Sequence, residues 1–171
     1  MPRVALIIAV LTAVLAASRA VPATEPPLQN QSMTIMGPAN PQLSEGATAL
    51  DAGHVEEGIR LTLEGLKFPA EIHDKAAGYS NLCAGYAMLK QWDEALQQCN
   101  TSLSIDPNNW RTFNNRAAVF VAKGDYELAM SDLRAGLEIS PNSRTLLESL
   151  RIVQQNKRLM GTRSRSAVRA P

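Results

Sequence analysis

Apolar residues along this chain fall mostly in short blocks at helical spacing. In QWDEALQQCNTSLSIDPNN, residues 91–109, they keep to one face of a helix until Ile105-Asp106-Pro107 ends the pattern. After Pro141-Asn142, residues 143–158 place Leu146, Leu147, Leu150 and Val153 at helical spacing with polar residues between them, which predicts a terminal helix with one wet face. Two stretches depart from this pattern. Val4 to Ala17 is an unbroken run of apolar and small residues with one Thr. Residues 21–42 are rich in Pro, Gln and Asn, a linker composition. Within them Ser32-Met33-Thr34-Ile35-Met36 predicts a short extended piece of no legible function.

The helical blocks repeat. A shift of 34 residues pairs Pro107 with Pro141, Ala95 with Ala129, Leu103 with Leu137 and Ile105 with Ile139. It also pairs Trp92 with Tyr126, Tyr86 with Phe120, Ala84 with Ala118, Asn81 with Asn115 and Asp93 with Glu127. A run of matches at one period marks a stacked-repeat architecture, in which no unit buries its apolar stripe alone.

These units resemble tetratricopeptide repeats (TPRs). That pattern places an aromatic near position 4, a large apolar residue at 7, small residues at 8, 20 and 27, an aromatic at 11 and Pro at 32. A unit beginning at Ala76 supplies Tyr79, Leu82, Cys83, Tyr86, Ala95, Ser102 and Pro107. The next, from Trp110, supplies Phe113, Ala117, Phe120, Ala129, Gly136 and Pro141, with the turn glycine Gly124. It departs at position 7, where Arg116 stands in place of a large apolar residue. A weaker unit precedes both, aligning Gly53 with Gly124, Gly58 with Ala129, Gly65 with Gly136 and Leu66 with Leu137. It lacks the closing Pro, and extra residues around Pro69 to Asp74 follow it. The resemblance implies an all-α solenoid of about three helix hairpins (43–75, 76–109 and 110–143) and a capping helix over 143–158.

The ends add a compartment. Arg3, the apolar run after it and the small residues of Ser18-Arg19-Ala20 have the layout of a secretory signal peptide over residues 1–20, with a second possible cut after Ala23. Fourteen residues of helix span roughly 21 Å, short of a bilayer core of about 30 Å, and no later stretch is apolar enough to span. The expected location is therefore secreted or periplasmic, with no stable membrane span in the mature chain. Seven of the 17 basic residues lie in this leader and in the C-terminal stretch from Lys157, leaving ten against 16 acidic residues, so the body is near −6. An acidic body excludes nucleic-acid binding through a basic face. The basic tail, 159–171, reads as disordered.

Catalytic constellations are absent from the sequence. His54 falls in a predicted turn and His73 in a predicted connection, in no metal-ligand spacing. No His-Glu-x-x-His, Gly-x-Ser-x-Gly or phosphate-cradling glycine loop occurs. Glu56-Glu57 and Asp93-Glu94 open second helices, where carboxylates suit the positive end of the helix dipole. Cys83 with His73 is the one nucleophile pair to consider, and the repeat register puts Cys83 at a packing position. Asn30-Gln31-Ser32 and Asn100-Thr101-Ser102 match the glycosylation sequon, which has meaning only on a eukaryotic secretory route. The expectation is no enzyme, no cofactor and no metal.

By resemblance, first-helix positions 2, 5, 6, 9, 12 and 13 line a concave groove. Here they are Ala77, Ser80, Asn81, Ala84, Ala87 and Met88, then Arg111, Asn114, Asn115, Ala118, Val121 and Ala122. Partner binding is expected from Ser80, Asn81, Met88, Arg111, Asn114 and Asn115. Each asparagine amide both donates and accepts, so Asn81 and Asn115 suit an extended peptide backbone; the alternative is that they link neighbouring repeats. Arg111 suits a carboxylate. Family members that bind chaperone tails use a basic cluster with Asn, of which only part is present, so that specificity is not implied here. The register also places Cys83 at position 8 and Cys99 at position 24 of one hairpin, facing each other. With export, this implies a disulfide; otherwise they are two small buried thiols. The leading expectation is a protein-interaction module of the cell envelope, the alternatives a redox protein using Cys83 and Cys99 or a self-assembling scaffold. Partner and oligomeric state are not legible.

Overall fold

A computed structural model describes residues 33–168. Among the described residues the chain forms seven helices and no strand: α1 (Pro41–Asp51), α2 (Val55–Gly65), α3 (Ile72–Met88), α4 (Trp92–Ile105), α5 (Trp110–Lys123), α6 (Tyr126–Ile139) and α7 (Arg144–Val168). They pair as three hairpins, α1–α2, α3–α4 and α5–α6, with α7 closing the last. This is the expected all-α solenoid. The first helices α1, α3 and α5 touch in succession and form one layer.

Local chemistry sets the hairpin boundaries. Asp106 and Ser140, each preceding a proline, take φ of −132° and leave the α region, so α4 and α6 stop at Ile105 and Ile139. Asn40 caps α1 by accepting from the Gln42 and Leu43 N–H groups, with Pro41 at the first helical position. All three hairpin turns use one device. His54, Gln91 and Asp125 donate their N–H to the carbonyls of Ala49, Tyr86 and Phe120, five residues back. The residue before each donor is left-handed: Gly53 (φ 81°), Lys90 (φ 60°) and Gly124 (φ 85°). Lys90 adopts this conformation without the freedom of glycine, held by the same bond as its two counterparts.

Small residues bring the helices together, most closely in the first hairpin. A Cβ on Gly46 would lie 2.2 Å from Thr62 Oγ1, and one on Gly58 would lie 2.8 Å from the Leu50 backbone nitrogen. Buried Leu43, Leu50, Leu82, Leu133 and Leu146 fill the larger gaps. Leu146 and Val153 of α7 complete the last core with Ala117, Ala129 and Leu133. Leu147 instead is 51% exposed, on the outer side of the cap.

Several expected boundaries shift. α1 starts at Pro41 rather than 43, because Asn40 and Pro41 together make a helix start. α3 starts at Ile72 rather than 76, so the supposed extra connection is an added helical turn and His73 lies in it. His73 Nδ1 is 3.2 Å from the Asp106 carboxylate, a surface pair. The segment expected to be disordered from 159 continues α7 to Val168; no proline interrupts it before Pro171. Residues 33–40 are not a free linker but pack against the first-helix layer, with Pro38 buried. The predicted leader, the rest of the linker and residues 169–171 lie outside the described residues.

Candidate functional site: an asparagine-lined groove

Asn81 on α3 and Asn115 on α5 are fully buried at equivalent places in successive hairpins. Both side chains hold the extended segment Met33–Met36. The Thr34 N–H donates to Asn115 Oδ1 (2.8 Å), and Asn115 Nδ2 donates to the Thr34 carbonyl (3.1 Å). One step along, the Met36 N–H donates to Asn81 Oδ1 (2.8 Å), and Asn81 Nδ2 donates to the Met36 carbonyl (2.7 Å). Each amide thus exchanges both bonds with one residue, as a hydrogen-bonded pair does in an antiparallel ladder. Alternate residues of a strand lie roughly 6.6–6.8 Å apart. Asn115 and Asn81 stand on successive hairpins and take Thr34 and Met36, so each hairpin serves every second residue of the segment. Thr34 meets the later hairpin and Met36 the earlier, so the segment runs against the order of the repeats.

The intervening side chains pack inward. Met33 lies against the cluster of Cys83, Ala87, Ala95, Cys99 and Val119. Ile35 lies against that of Leu50, Ile59 and Leu82. Asn114 Nδ2 donates to Thr34 Oγ1 (3.2 Å), and its Oδ1 accepts from Ser149 Oγ (2.9 Å) of α7. Beyond Gly37-Pro38 the Asp74 carboxylate accepts from the N–H groups of Ala39 (2.9 Å) and Asn40 (2.8 Å), fixing where the segment joins α1.

The predicted groove residues divide. Asn81, Asn114 and Asn115 meet on the segment. Asn115 also links hairpins as the alternative reading required, donating from Nδ2 to the Ser80 carbonyl and hydroxyl, both at 3.3 Å. Ser80 is thereby a buried support beneath the segment. Arg111 lies over the Trp110 ring, 4.4 Å from its centroid. Met88, at the end of α3, is 43% exposed. Asp74 was overlooked, though an acid 34 residues from both Asn40 and Asn108 was a usable signal.

Two further features hold the groove's walls. Cys83 and Cys99 are joined in a disulfide with Cα atoms 5.2 Å apart, tying α3 to α4. Both are fully buried, so neither sulfur is placed for thiol exchange. Arg116, the departure from the repeat pattern, makes a bidentate pair with Asp132 (2.7 and 2.8 Å) and donates from Nη1 to Asn100 Oδ1 (2.7 Å). One guanidinium therefore joins α4, α5 and α6. Titration shifts lie away from the groove: a hydrogen bond from Arg60 lowers the Glu57 carboxyl, and one from Arg151 lowers that of Glu148, along the exposed faces of α2 and α7.

Residues 76–109 match a model of the tetratricopeptide repeat family. Human peptidyl-prolyl cis-trans isomerase FKBP4 is 30% identical over 84 residues, 49% of this chain and 18% of the relative, so this chain spans under a fifth of that protein. The Hsp90 co-chaperone Cns1 from Saccharomyces cerevisiae superposes with a TM-score of 0.69 at 19% identity, over 74% of this chain and 41% of that one. The first TPR of Spaghetti (RPAP3), solved with the HSP90 peptide SRMEEVD, gives 0.59 at 21% identity, over 71% and 97%. Both structures share the fold. Residues 76–109 are therefore a tetratricopeptide repeat, and the hairpins on either side of it share its geometry.

Proposed function

We propose that this protein is a non-enzymatic interaction module that takes an extended segment of a partner protein along the layer of α3 and α5. The observation that carries the reading is the pair of buried asparagines, each bonded to both backbone groups of alternate residues in an extended segment. A site that binds N–H and C=O groups draws affinity from the main chain and leaves selectivity to the pockets between. The similar fold of Spaghetti was solved with a peptide bound, which supports the class of ligand. That peptide ends in Glu-Glu-Val-Asp; here the two asparagines bond the main chain of an uncharged internal segment, so an acidic chain end is not required. The leader-like residues 1–20 and the paired cysteines support action outside the cytoplasm, in the periplasm or beyond.

Capture of partners from the native compartment tests this reading. Wild-type protein is expected to retain a partner that the combined variant Asn81→Ala, Asn115→Ala, Arg111→Ala loses. If the variant retains every partner, binding does not run through this groove.

A further inference from the structure

We propose that Met33–Met36 is a built-in competitor: the groove binds a partner by exchanging this segment for one of the same chemistry. That chemistry is an uncharged extended stretch with apolar side chains at alternate positions, taken from inside a chain rather than from its end. The inference rests on the groove reading above and adds what occupies the groove and what replaces it.

Three observations carry it. The segment uses the groups a peptide in trans would need: all four amide bonds of Asn81 and Asn115 to Thr34 and Met36 are made within one chain. A partner backbone therefore cannot form them while the segment is in place. The segment's contacts are also graded. Asp74 holds both N–H groups at its junction with α1, where Asn40 caps the helix and Pro38 is buried, while residues 33–36 are only part-buried. The Asp74 bonds and the Asn40 cap involve residues 39–43 only, so residues 33–36 can leave the asparagines while the junction with α1 stays in place. Finally, its bonding partners among the described residues are asparagine side chains and the Asp74 carboxylate, and Met33 and Ile35 rest on apolar clusters. Such a surface suits neutral residues at both inward positions. The chain continues past both ends of the segment, so no terminal carboxylate is needed.

Tethering makes the competition strong, because a segment joined through a few residues acts at a high effective concentration. If the groove is free in a tenth of the molecules, the apparent affinity for a partner falls about tenfold.

The test uses the full chain and a fluorescein-labelled, C-terminally amidated peptide of residues 30–38, NQSMTIMGP. Binding is compared for wild type, for Met33→Asp with Ile35→Asp, and for Thr34→Pro with Met36→Pro, which removes the two N–H groups bonded to the asparagines. Both loosened variants are expected to bind at least tenfold more tightly than wild type. Adding Asn81→Ala and Asn115→Ala to either should abolish the gain. The peptide carrying the Met33→Asp and Ile35→Asp changes should bind none of them. Equal binding by wild type and both loosened variants would overturn the competition while sparing the groove reading. If no protein binds the peptide, both ideas fall, and the asparagines serve only their own chain.

Discussion

Arg116→Leu is expected to destabilise the protein by about 2–3 kcal/mol, although it restores the residue type usual at this position of the repeat. Leucine would suit the stripe of α5, but it would strand Asp132. The Asp132 side chain is only 9% exposed and takes both of its strong bonds from Arg116. Removing one partner of a largely buried pair leaves a desolvated charge, whereas replacing both leaves an apolar contact. Arg116→Leu combined with Asp132→Leu should therefore recover most of the loss. Denaturant midpoints of the two single variants and the double variant measure the coupling. Additive losses would mean that the pair contributes nothing as a pair.

Replacing Cys83 and Cys99 together by alanine is expected to cost about 3 kcal/mol, or roughly 10 °C in Tm. The bond closes a loop with a sequence separation of 16, so its loss returns conformational freedom to the unfolded chain. It also removes two buried sulfurs from the cluster on which Met33 rests, so the groove floor should loosen as well. Thermal melts of oxidised, reduced and double-alanine protein measure the effect. A non-reducing mass that retains both thiol hydrogens would refute the bond itself.

The fold was legible because stacked hairpins impose a strict register of small and large residues. Ala95 and Ala129, Tyr86 and Phe120, and Pro107 and Pro141 each recur where helix axes approach, gaps widen or helices end. The asparagines were legible for the same reason, being polar residues repeated at groove positions. The occupant was not. Residues 32–36 were legible as a short extended piece, but a segment held by side chains has no partner strand in the sequence, so nothing there pointed to the groove as its place. The role of Arg116 was hidden because its partner lies 16 residues away on another helix, and the counterpart of Asp132 one repeat earlier is Gln98, not an acid. An interior arginine and an interior aspartate in one unit were the available signal. The continuation of α7 was not legible because the basic, polar residues after Leu159-Met160 look like a solvated tail, although no proline breaks the helix before Pro171.

Amide hydrogen exchange at Thr34 and Met36 tests the central claim most directly. Both N–H groups should exchange slowly in wild type, because each donates to a buried asparagine. Asn115→Ala should release Thr34, and Asn81→Ala should release Met36, each by at least tenfold, with the interior amides of α3 and α5 still protected. Exchange at both positions as fast as in an unstructured peptide, or rates unchanged by either substitution, would contradict the account.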